Sequence, residues 1–157
     1  MLTAAAMAMG LIGSGGWTTT SRYSLDGWRL TVTHDRFSGS VSCSIKTSTV
    51  RLVRDTLIFR MGRDAQTADA KFRVDTGPVM SVRVALAEDQ ARGFFPDRGW
   101  IEDPSETAVA LPATYARAAR AVWIRANIRA RPRYFRVQGL AEVLRAANGQ
   151  GCAARPL

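Results

Sequence analysis

The sequence predicts a mainly β, α+β protein: a single antiparallel β-sandwich-like domain with two short helices near the carboxyl end. Three observations carry this. The 157 residues suffice for one domain with a real core and hardly for two. Apolar residues recur at every second position in several short runs. Those runs are broken by turn-forming residues at short intervals, as in an antiparallel meander.

Trp28–Asp35 is the clearest strand, with Trp28, Leu30, Val32 and His34 alternating against Arg29, Thr31, Thr33 and Asp35. Phe37–Gly39 makes a turn. The β-rich run through Val41, Ile45, Val50, Leu52, Leu57, Ile58 and Phe59 divides into two or three strands, with breaks near Lys46 and Asp55, and ends at Gly62. Ala70–Asp75 is a further alternating strand, Thr76-Gly77-Pro78 its turn, and Val79–Leu86 the next strand. Glu88–Ala108 holds four Gly or Pro residues, three aromatics and six acids, and reads as a long loop of the kind that often carries function.

Pro112–Ala121, with a proline at its start and many alanines, predicts a helix. From Val122 to Ala130 the period changes to two. Val122, Ile124, Ala126, Ile128 and Ala130 define an apolar face, and Trp123, Arg125, Asn127, Arg129 and Arg131 an Arg-rich one. Pro132 interrupts, Tyr134–Gln138 supplies a last strand, and Leu140–Ala147 a helix that stops at Asn148-Gly149.

Residues 1–16 read as either a signal peptide or a disordered tail. The segment is apolar and runs into small residues, but no Lys or Arg precedes Arg22. It is shorter than the roughly 20 apolar residues a membrane-spanning helix needs, so no transmembrane segment is expected. Residues 17–157 then form the domain. Cys43 and Cys152 make an even cysteine count. In an oxidising compartment they could bridge the tail to an early strand; otherwise they are two unrelated thiols.

The formal charge is +9 and sits unevenly. Beyond Thr107 there are nine arginines and a single acid, Glu142. Such a surplus favours anionic partners. Nucleic acid is not the preferred one, because no zinc finger, RNP-type aromatic pattern or KH-type loop accompanies the charge. Candidate binding residues are Arg125, Arg129 and Arg131 on the penultimate strand, and Phe94, Phe95 and Trp100 in the long loop.

Catalytic signatures are lacking. One histidine and two cysteines cannot build a Cys/His zinc site, and no metal or cofactor is expected. His34, Asp35 and Cys43 invite a nucleophile hypothesis, but neighbours on a strand point to opposite faces, so Asp35 would not orient the ring of His34. A hydrolytic enzyme seated where the acidic loop meets the sheet, and a basic nucleic-acid binder, are the alternatives to a non-enzymatic binding domain.

Taken together, Trp28-x-Leu30, Cys43, the meander through Phe59, Ala70–Asp75, Leu111–Ile128 and Phe135–Ala147 resemble the small exported bacterial proteins of the invasion-associated locus B type. The resemblance spans the region after residue 16. It implies a periplasmic or secreted β-rich domain associated with cell-envelope or host interaction, with no catalytic residues to carry over; the Arg-rich face adds the expectation of a protein or an anionic envelope polymer as partner.

Overall fold

A computed structural model describes residues 8–63, 65–91 and 106–152. Two antiparallel sheets are present. The larger joins seven strands in the order β1 (Ala8–Gly15), β2 (Thr18–Leu25), β3 (Trp28–Asp35), β4 (Val41–Lys46), β5 (Val50–Val53), β6 (Thr56–Arg63) and β9 (Glu106–Pro112). The smaller joins four, in the order β11 (Arg133–Arg136), β10 (Ala121–Arg125), β7 (Lys71–Val74) and β8 (Met80–Ser81). Helix α1 (Val82–Ala91) packs along β9, and α2 (Leu140–Gly149) packs on β3. The mainly β, sandwich-like fold class holds, with a single helix at the carboxyl end.

The meander forms because tight turns join strands of matched pattern. Asp26 and Gly27 both have positive φ, 48° and 87°, which is the requirement of the two-residue hairpin that joins β2 to β3. Across that hairpin Tyr23 pairs with Leu30 and Leu25 with Trp28, and all four are buried on one face. The next strands add Ile45, Val50, Leu57 and Phe59 to that face.

Two different layers cover it. Opposite β6 lies the small sheet, whose Phe72, Val122, Ile124 and Phe135 point inward. Phe59 and Phe135 meet edge to face, 5.1 Å between ring centroids, a geometry that contributes about 0.5–1.5 kcal/mol beyond burial. Opposite β3 lies α2, with Leu140, Val143 and Ala147 buried. The Trp28 indole N–H donates to the Gln138 carbonyl at 2.9 Å, and the Tyr23 hydroxyl to Gln150 Oε1 at 3.1 Å. Cys43 on β4 and Cys152, just past α2, form a disulfide that closes a separation of 109 residues.

Several expectations are corrected. Val79–Leu86 is a two-residue strand followed by α1: Val82 and Ala85 are buried while Val84 is exposed, which is helical rather than alternating spacing. Pro112–Ala121 is not a helix. Pro112 closes β9, Ala113–Tyr115 makes a single 3-10 turn, and Ala113, Ala116 and Ala119 are buried. Small side chains there let the backbone approach the core; they do not signal helix propensity. The strand assigned to Val122–Ala130 ends at Arg125, so Arg129 and Arg131 are not on it. Asn127 ends it: its side-chain oxygen accepts from the Arg129 and Ala130 amides, both at 3.0 Å, and holds the chain in a turn. Ala8–Gly15, within the segment read as a leader or tail, forms edge strand β1 paired to β2.

Reduction of the disulfide should lower unfolding stability by about 2–4 kcal/mol, seen as a fall in the urea midpoint with reductant. Gly139, at φ 86°, sits where an added Cβ would lie 2.7 Å from Asp26 Cβ. Gly139→Ala should cost at least about 1–3 kcal/mol from backbone strain alone, read as a drop in thermal midpoint.

Candidate anion-binding face

The site is built on the outer face of the small sheet. Alternation along β10 sends Val122 and Ile124 to the core and Trp123 and Arg125 outward. In register with Trp123 stand Arg73 on β7 and Tyr134 on β11; in register with Arg125 stands Lys71. One cross-strand line therefore reads Arg73, Trp123, Tyr134, and the next brings Lys71 beside Arg125. Adjacent strands lie about 4.8 Å apart, so these side chains form one continuous surface.

Trp123 and Tyr134 are partly exposed and meet edge to face, with centroids 5.0 Å apart. Each ring leaves part of its apolar surface to solvent beside cations. Among the described residues no carboxylate pairs with Lys71, Arg73 or Arg125. Arg136, at the far end of the same face, is taken up by Asp26 at 2.9 Å. Like charges in direct register are unfavourable for the sheet, and Lys71 opposite Arg125 is such a pair.

Asp75, just past β7, holds this face in register. Its carboxylate accepts from the backbone amides of Arg120 at 3.1 Å and Ala121 at 2.9 Å, while its own amide donates to the Ala121 carbonyl. Asp75 adopts a left-handed φ of 47°, which Asp and Asn tolerate better than most residues. Its charge is spent on backbone donors and leaves the outer cations uncompensated.

Of the residues expected to bind, Arg125 lies on this face, half-buried. Arg129 and Arg131 are exposed in and just after the turn that follows β10, beside Ile128, which is 85% exposed. Phe94, Phe95 and Trp100 lie outside the described residues. Lys71, Arg73 and Tyr134 were missed. The Ala70–Asp75 alternation already pointed Lys71 and Arg73 to one side, but nothing local placed that strand next to β10.

The nucleophile arrangement is removed by covalent chemistry, because Cys43 is locked to Cys152. Asp35 serves its own turn. The Ser38 hydroxyl donates to it at 2.6 Å and the Phe37 amide at 2.9 Å, which together hold its carboxyl below the ordinary aspartate value. Among the described residues no three His, Cys, Asp or Glu side chains gather as a metal site. No helix there is long and apolar enough to cross a membrane. Disulfides persist in oxidising compartments, with which the Cys43–Cys152 bridge is consistent.

No family model, curated protein or solved structure matches this chain.

Asp75→Ala should destabilise the fold by about 1–3 kcal/mol, since two backbone donors lose their acceptor. Asp75→Asn, which keeps an acceptor oxygen, should cost much less, and the pair of denaturation curves checks this.

Proposed function

We propose that this protein is a non-enzymatic binding domain of the periplasm or the secreted space, and that it holds an acidic polysaccharide of the cell envelope on the outer face of the small sheet. The observation that carries the reading is the line Arg73, Trp123, Tyr134 with Lys71 and Arg125 beside it, cationic, aromatic and without carboxylate partners among the described residues. Exposed aromatic rings offer flat apolar surface to the C–H faces of sugar rings. Guanidinium groups bind carboxylates in two-pronged fashion. A disulfide suited to oxidising compartments and the resemblance to exported proteins of the invasion-associated locus B type support the compartment. A polysaccharide fits that compartment better than a nucleic acid does.

The test is titration of the oxidised protein with a short oligogalacturonide in EDTA, with a neutral maltooligosaccharide as control. Binding should weaken as salt rises, because exposed charges are screened. Trp123→Ala, and separately Arg73→Ala with Arg125→Ala, should each weaken it about tenfold, or ~1.4 kcal/mol. Affinity unchanged in both variants, or equal for the neutral oligosaccharide, would overturn the reading.

A further inference from the structure

The opposite side of the sandwich carries a second cationic surface of different chemistry. Alternation in β2, β3 and β4 buries Tyr23, Leu25, Trp28, Leu30, Val32 and Ile45 and turns the intervening residues outward. Those residues are almost all hydroxyl-bearing or basic. In register across the three strands lie Thr20, Thr33 and Ser42, then Arg22, Thr31 and Ser44, then Ser24, Arg29 and Lys46. Arg29 stands directly opposite Lys46, and Lys46 directly opposite Arg51 on β5.

Three cations in one cross-strand line is an arrangement that a sheet does not favour for its own sake, since like charges opposite each other destabilise it. Arg51 has a further interaction of its own. Arg22, Arg29 and Lys46 are exposed and have no ion-pair partner among the described residues. The described acid on this face is Asp35, at the far end of β3, where Ser38 and the Phe37 amide engage it. Uncompensated charge flanked by hydroxyl donors suits an anionic chain laid across the strands, whose cations recur about every 4.8 Å.

We propose that this face is a second anion-binding surface and that the protein joins two acidic polysaccharide chains, one on each side of the sandwich. The second surface stands on its own residues; the joining rests additionally on the reading of the small-sheet face given above. A carboxylate-bearing sugar chain fits both sides because it can use rings on one and hydroxyls on the other. Two sites on one rigid body raise the effective concentration of each chain for the next, so long chains are gathered without any new contact.

The experiment uses the oxidised full chain, with near-ultraviolet circular dichroism to confirm that each variant is folded. A short oligogalacturonide should bind with two ligands per protein. Arg22→Gln, Arg29→Gln and Lys46→Gln together should weaken one of the two binding events about tenfold, Arg73→Ala with Arg125→Ala should weaken the other about tenfold, and the combination should weaken both. Long polygalacturonate should scatter light strongly with the wild type and not with either single-face variant. A stoichiometry of one that the triple substitution leaves unchanged would overturn the second surface. If the small-sheet substitutions leave binding unchanged while the triple substitution abolishes it, the second surface stands and the joining falls. Tighter binding of a short single-stranded DNA or of polyglutamate at the triple-sensitive site would overturn the polysaccharide assignment.

Discussion

The Cys43–Cys152 bridge is the constraint on which the rest depends. Half of the large sheet's inner face, over β2 to β4, is covered by a ten-residue helix. A helix of that length has little stability of its own in water, so its helical state comes from being held against the sheet. Three ties do so: the disulfide beyond its carboxyl end, the Trp28 indole at its entry, and the Tyr23 hydroxyl on Gln150. Loss of that cover would expose Trp28, Leu30 and Val32, each at most 1% exposed in the fold.

The sandwich separates its chemistry cleanly. Alternation directs the aliphatic residues of the inner faces between the layers, and it directs charge, with Trp123 and Tyr134, away from them. Among the described residues, the ion pairs Arg117 with Asp55, Arg136 with Asp26 and Arg145 with Glu142 are peripheral, substantially exposed and of small energetic weight. Among the described residues, Lys71, Arg73 and Arg125 on one face and Arg22, Arg29 and Lys46 on the other stand without an ion-pair partner. Burial and disulfide closure supply the stability that permits this.

The β class and most of the meander were legible because β3 to β7 each state their inward face in two or three residues. Trp28–Asp35 has the same limits in sequence and structure, and the breaks near Lys46 and Asp55 fall at real turns. Failures came where two periods fit the same letters. Over Val79–Leu86, strand alternation and helical spacing share Val82, and contact with β9 decides between them. Ala113, Ala116 and Ala119 look like helix formers but are small because the backbone lies close to the core. Thr18–Leu25 was legible in principle from the Asp26-Gly27 turn that follows it. The candidate face was half legible: parity exposed Trp123 and Arg125, while the neighbours that complete it depend on strand order, which no local pattern encodes.

The same covalent closure sets how the molecule would respond to mechanical load. Cys43 and Cys152 make a ring of the chain from β4 to the end of α2, and of the described elements β1, β2 and β3 lie upstream of it. Tension applied at the two termini would load those three strands, while the chain inside the ring carries no pull as long as the bond is intact; peeling β2 and β3 would nonetheless strip α2 of its Tyr23 and Trp28 ties. The bond thus caps how far the chain can be drawn out, because the residues between Cys43 and Cys152 add nothing to its extended length.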